Sequence, residues 1–255
     1  MPRGTRACHS CQTLGVVQHM SDYPDLDRLV EGATFFPGLN VRLAALRPLE
    51  RIAEEQLAVA RKLAIARVRL DHKRLGDELD REDLTFELKD LEQQVTHLLP
   101  KLTRGGLLLA TWSVVERSVK DIAYRAAAHA GLPLGRSYFR NGSLFVNFEQ
   151  ALSKVIRAPA FPDQAQRLQL EFMAAVRSTL IHHDGRLEEA PQVIASLQRN
   201  ELEAADLQIE RDYDFEYIVP GPIFVKNSVT TVYTYVHSLA ERVFEELNPP
   251  NATDA

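Results

Sequence analysis

The apolar positions along the chain recur mostly at helical intervals. Leu46, Leu49, Ala53, Leu57, Ala60 and Ala64 advance in steps of three and four residues through residues 41–75. That stretch is made of strong helix formers and predicts one long amphipathic helix. Gly76 and Asp77 interrupt it and Asp80 can cap the next helix, in which Leu84, Leu88, Leu91, Val95, Leu98 and Leu102 alternate steps of four and three. A helical hairpin is the natural reading of residues 41–102. A third helix is expected over residues 104–129, with Leu108, Trp112, Val115, Val119, Ile122 and Ala126 on one stripe and Gly131 and Pro133 as stop signals. A loop with Asn141 and Gly142 leads to a shorter helix at 144–156, and Pro159 and Pro162 mark a break. Residues 163–183 then form another helix, ended by Asp184 and Gly185.

Beyond that point the period changes. A short helical piece at 191–198 precedes two extended stretches, 206–210 and 215–219 or onward to 225, separated by Arg211, Asp212, Tyr213 and Asp214. The last helix covers residues 228–247 and stops at Pro249 and Pro250. The expected fold is therefore all-α: an up-and-down helical bundle with a small β-hairpin before the last helix and a long amino-terminal helical hairpin. The expected division is a poorly ordered segment at 1–40 with a short packed piece at 26–36, a coiled-coil-like arm at 41–102, a helical domain at 103–248 and a tail at 249–255.

Composition agrees with a folded chain. The 255 residues are 45% apolar and 25% charged, which excludes wholesale disorder and repetitive architectures. No apolar stretch approaches the roughly 20 residues of a spanning helix and no signal core follows the first residues, so a cytoplasmic location is the expectation. The only cysteines, Cys8 and Cys11, supply half a zinc site and no disulfide framework. Met20 offers a plausible native beginning, with residues 1–19 arising from a misplaced start codon. Neither a metal nor a cofactor is expected.

The net charge of −5 conceals a segregation: −1 over residues 1–40, +5 over 41–75, −6 over 76–100, +6 over 101–186 and −9 over 187–255. The two arms of the hairpin would thus attract when packed antiparallel. The basic run Arg61, Lys62, Arg67, Arg69, Lys73 and Arg74 either contacts RNA backbone or, more simply, partners the acidic arm.

The chain has no phosphate-binding glycine loop, no GxGxxG, no HExxH, no GxSxG and no complete pair of CxxC motifs. What remains is Arg177-Ser178-Thr179-Leu180-Ile181-His182-His183-Asp184-Gly185. An Arg-to-His spacing alone is weak, since about two chance matches are expected, and Arg3 with His9 and Arg67 with His72 satisfy it too. Context separates Arg177 from these. Its helix is the penultimate long one, the motif ends that helix before a glycine, and a strand pair and a final helix follow.

In these features residues 103–248 resemble the HEPN superfamily, and in particular bacterial members related to abortive-infection and toxin systems. Ribonucleases of that superfamily commonly carry Arg, a polar residue, three more residues and His near a helix end, often with Gly soon after. Arg177, Ser178, His182 and Gly185 fill those places. Ser178 stands where active members typically carry Asn, Asp or His.

The chemistry can be argued from the residues. Cleaving RNA without a metal requires a base for the 2′-hydroxyl proton, an acid for the leaving 5′-oxygen and a fixed cation on the phosphoryl oxygens. His182 suits the base or acid, and Arg177 can grip the phosphate. At about 100° per residue the two lie roughly 140° apart on a helix, so a working site needs a second protomer. Composite sites across a homodimer are also what the resemblance implies. His183 falls on the apolar side with Phe172 and Val176 and reads as a buried structural histidine. Glu116 shares a face with Trp112 and Val119, and its expected partner is either Arg177, in an orienting role, or Lys120 one turn on. Tyr213, Tyr217, Tyr233 and Tyr235 either stack bases or pack in the core or a dimer, and their acidic surroundings favour packing.

The leading expectation is a metal-independent endoribonuclease of the defence or toxin–antitoxin type that leaves a 2′,3′-cyclic phosphate. RNA is its substrate, it acts as a homodimer, and its partner is an antitoxin or defence-complex protein. The competing reading is a non-catalytic HEPN module that binds a protein or nucleotide and assembles through the helical arm. A third is a coiled-coil adaptor in which the motif only caps a helix. The +6 charge around the motif favours the nuclease.

Overall fold

The computed structural model describes residue 36 and residues 38–75, 81–135, 137–140, 142–156, 159–212 and 214–248. The order is α1 (Leu39–Leu75), α2 (Arg81–Gln93), a π-helical turn (Gln94–Leu98), α3 (Leu99–His129), α4 (Leu144–Val155), α5 (Gln164–His182), α6 (Gln192–Ala195), α7 (Arg199–Ala204), β1 (Leu207–Asp212), β2 (Phe215–Pro220) and α8 (Pro222–Leu247). The chain is thus mostly helical with one antiparallel strand pair before the last helix, as its periodicity predicts. The expected start of the chain at 1–35, both cysteines, the break at Gly76 and Asp77 and the cap at Asp80 lie outside the described residues.

The second helix of the arm and the third helix, expected as separate elements ending at 102 and starting at 104, are continuous. From Arg81 to His129 the chain is helical throughout, because α2, the π turn and α3 follow one another without a gap. Pro100 explains the π turn. It has no N–H to give the carbonyl of Thr96, and its ring crowds that carbonyl, so the ladder widens by one residue just before it. The Thr96 hydroxyl donates instead to the Glu92 carbonyl. The extra residue rotates the apolar stripe. Leu84, Leu88, Leu91 and Val95 are half-buried as expected, but Leu98 and Leu102 are 52% and 63% exposed, and the stripe resumes at Pro100 and Leu108. In α1, likewise, Leu46 and Leu57 are buried while Leu49 faces solvent.

The stripe of α3 becomes the spine of the bundle: Trp112, Val115, Val119, Ile122 and Ala126 are all buried. They meet Phe145, Phe148 and Leu152 of α4, Leu170 of α5 and Val232, Tyr235, Val236 and Leu239 of α8. Aromatic rings order this centre. Trp112 meets Phe145 edge-on at 5.7 Å, Phe145 meets Phe161 edge-on at 5.3 Å, and Phe161 stacks on Tyr235 at 5.4 Å. A second, smaller core lies beside it, where Leu108, Ala175 and Val176 pack on Ile194, Leu202, Leu207, Ile218, Phe224 and Val225.

Two junctions hold the hairpin against the bundle. Gly185, at φ +84°, donates its N–H to the Thr179 carbonyl at 2.9 Å and accepts from the Ile218 N–H at 2.9 Å, tying the end of α5 to β2. Asp206, at φ +60°, caps α8: its carboxylate accepts from the N–H groups of Ile223 (2.7 Å) and Phe224 (3.2 Å). A Cβ on Gly221 would lie 2.2 Å from that carboxylate, so any other residue there would displace the cap. This cap, with Pro222 in the first turn, starts α8 six residues before the position expected from its apolar period. The short helix α7 has no counterpart in the expected elements. It is stabilised by a capping box between Gln198 and Glu201.

Among the described residues no helix is long and apolar enough to cross a membrane.

Candidate functional site

The motif Arg177 to Gly185 occupies the last turns of α5 and the cap beyond it. Asp163 starts that helix by accepting the Gln166 N–H at 2.7 Å. Leu170, Met173, Val176 and Thr179 anchor it with their buried side, which leaves Arg177 and Ser178 half-buried on the flanks and His182 exposed at the end. Because α5 is unbroken from Gln164 to His182, Arg177 and His182 stand roughly 140° apart about its axis. Ser178, one turn before His182, is the motif residue that shares its face. Among the described residues neither the Arg177 guanidinium nor the His182 ring has a hydrogen-bond or ion-pair partner. The His182 and His183 rings lie 6.4 Å apart.

His183 departs from its expected place. It is the C-cap residue, beyond the last helical turn, and its side chain is half-buried instead of enclosed. Its Nδ1 lies 3.0 Å from the Glu189 carboxylate, which also meets the Arg186 guanidinium at 3.5 Å. The Glu116 expectation is corrected as well. Its carboxylate accepts the Trp112 indole N–H at 2.9 Å, one turn back along α3, and pairs with neither Arg177 nor Lys120 among the described residues. Trp112 and Lys120 each stand four residues from Glu116, but the Trp112 indole is buried and its N–H needs an acceptor within reach, whereas Arg177 belongs to a different element. That i,i+4 spacing is visible in the sequence.

A group that the motif does not announce adjoins it. The Arg186 guanidinium carbon lies 4.4 Å from the Phe215 ring centre, and the Lys101 ammonium lies 4.8 Å from that of Tyr217. Arg186 and Tyr217 also form an isolated backbone bridge. The Tyr217 hydroxyl pushes the Arg186 pKa up, burial opposes this, and Tyr217 and Glu189 add smaller attractive contributions, so this guanidinium stays charged. Its Nε is buried with no hydrogen-bond partner among the described residues. Gly185 brings this cluster to the end of α5, because its close approach to Ile218 lays residue 186 along β2.

The tyrosines divide. Tyr235 is fully buried, Tyr217 carries Lys101, and Tyr233 carries the Arg47 guanidinium at 3.8 Å and stacks on His237 at 5.9 Å. Tyr213 lies outside the described residues. In the arms, Arg61 meets Glu92 at 3.5 Å, so opposite charges face each other there as expected, and the His72 ring lies 2.9 Å from the Glu87 carboxylate. Arg67 instead pairs within its own helix with Asp71 at 2.6 Å. No group of three or more potential metal-ligating side chains occurs among the described residues. Compared with known proteins, the chain matches no protein-family model, no curated protein and no solved structure.

Proposed function

We propose that the protein is an endoribonuclease that needs no metal ion, of the HEPN-like defence or toxin–antitoxin type, with Arg177 and His182 as its working residues. The observation that carries this reading is the state of Arg177. It is half-buried, and no described acidic side chain neutralises it, so an anion from outside is its natural complement. His182 stands exposed at the end of the same helix, and imidazole is the side chain that exchanges protons near neutral pH.

The reaction follows from these groups. Arg177 holds the scissile phosphate, and the 2′-hydroxyl oxygen attacks phosphorus while a neutral His182 takes its proton. The bond from phosphorus to the 5′-oxygen breaks, and that oxygen takes a proton from a water molecule. The products are a 2′,3′-cyclic phosphate and a 5′-hydroxyl. One helix cannot present both residues on one face, so the His182 that acts on a phosphate held by Arg177 is that of a second copy, and the site is composite. Ser178 shares the face of His182 and would orient it or the RNA. His183, held by Glu189, and Glu116, held by Trp112, support the scaffold.

Labelled structured and single-stranded RNAs incubated with purified protein in excess EDTA test this. Wild type should cleave and leave 2′,3′-cyclic phosphate ends, and Arg177→Ala and His182→Ala should each be slower by about 100-fold or more. If all three are equally inert while helical by circular dichroism, catalysis is wrong. One observation favours a second reading, a non-catalytic module that assembles through its arm: the outward face of α1 is apolar and exposed.

A further inference from the structure

Helix α1 carries two apolar faces, and only one is covered. The inward face, with Leu39, Leu43, Leu46 and Leu57, is buried against the rest of the chain. Outward, positions 45, 49, 52, 56, 59, 63, 66, 70 and 73 advance in alternating steps of four and three, and each of them is exposed. They read Ala, Leu, Ile, Gln, Val, Leu, Ala, Leu and Lys. Leu63 is the extreme, 65% exposed. A heptad of this regularity on a solvated face is the seam of a coiled coil that lacks its second helix.

We infer that the missing helix is α1 of a second copy, running antiparallel. Charge decides the direction. The positions flanking the seam are Glu55, Lys62 and Arg69 on one side and Ala53, Ala60, Arg67 and Arg74 on the other. A parallel pair sets Lys62 against Arg67, and Arg69 against Arg74, twice over, and like charges repel. An antiparallel pair centred between Gln56 and Val59 sets Glu55 of each copy against Lys62 of the other, with no like-charged pair among these flanking positions, and the end residue Lys73 falls opposite Arg42, whose charge Asp121 already meets at 2.6 Å. Slid by one heptad, the antiparallel pair places Lys62 against its own copy.

Size agrees with charge in the centred register. Leu49 meets Ala66, Ala45 meets Leu70 and Ile52 meets Leu63, so that large residues face small ones toward the ends. Gln56 faces Val59 beside the two-fold axis, and a polar residue at one seam position serves to fix register. The contact is isologous, as a closed dimer requires. It concerns a different surface from Arg177 and His182 and holds whether or not RNA is cleaved.

Light scattering on the full chain across the micromolar range tests it. Wild type should have twice the chain mass, and Leu63→Glu should be monomeric with unchanged helicity. Lys62→Glu should weaken the dimer about tenfold, because two attractive pairs become repulsive, and adding Glu55→Lys should restore it. A monomeric wild type overturns the proposal and leaves the seam to residues 1–35 or to a helix of another protein. A dimer indifferent to Leu63→Glu also overturns it, and failure of Glu55→Lys to rescue Lys62→Glu overturns the antiparallel register. A dimer that cleaves no RNA leaves this pairing standing and removes the ribonuclease reading. A monomer that cleaves removes the pairing and the composite site together and leaves the ribonuclease activity standing.

Discussion

Around Trp112, Phe145, Phe161 and Tyr235 the bundle closes on side chains with almost no exposed surface. Beyond Leu57, by contrast, no described side chain of α1 or α2 is fully buried, and the two arms meet across Arg61–Glu92 and His72–Glu87. At the root of the arm a better pair takes over: Arg104 grips Glu54 with two hydrogen bonds, 2.7 and 2.9 Å long, and the two side chains are 14% and 27% exposed. Both regions are helical, yet the bundle is held by apolar burial and the arm by a thin seam and charges. The difference shows where surface remains to be used. The bundle turns its apolar residues inward and exposes His182 at the end of α5, whereas the arm keeps an apolar face outward.

Bundle and arm should therefore respond to substitution by very different amounts. Phe148 is wholly buried at the centre of the bundle, so Phe148→Ala should destabilise the protein by about 3–5 kcal/mol in denaturant titrations. A loss below about 1 kcal/mol would mean that the bundle is loosely packed. Arg104→Ala strands the partly buried Glu54 carboxylate and should cost about 1–3 kcal/mol. Its loss should concentrate in the arm, so hydrogen exchange should accelerate in α1 and α2 more than in α3 and α8. High salt should act in the same direction on the exposed arm pairs. Uniform acceleration would show that arm and bundle open as one unit.

The smallest effect sits in the core. The Tyr235 hydroxyl is buried with no hydrogen-bond partner among the described residues, so Tyr235→Phe should change stability by no more than about 1 kcal/mol, toward greater stability. Burial pushes the Tyr235 pKa far up, Glu149 adds to this and Arg242 works against it. The folded protein therefore favours the neutral phenol. That contribution is complete below the ordinary tyrosine pKa of about 10 and is lost as pH rises above it. Denaturation midpoints of wild type should fall more steeply above that pH than those of Tyr235→Phe. Parallel curves would place water beside the hydroxyl.

Much of this is legible in the order of residues. Leu108, Trp112, Val115, Val119, Ile122 and Ala126 recur at the period of a buried helix and are buried. The strand pair is readable as two extended stretches around a polar break, and helix ends lie at Asp163, Gly131 and Gly185. Local signals of this kind depend on neighbours within one or two turns, which is why a sequence displays them.

What only the tertiary structure decided is how the backbone answers single residues and which side chains it then brings together. The register of Leu98 and Leu102 turned on how the helix accommodates Pro100, which rotates a stripe that looked continuous. The start of α8 was set by Asp206, whose carboxylate reaches across to cap a helix that begins after an intervening strand pair. His183 left the apolar side because the chain turns at Asp184 and Gly185 and brings Glu189 to it. Periodicity identifies which faces of a helix are apolar, but α1 has two, and only packing shows which one the described residues cover and which one stays exposed.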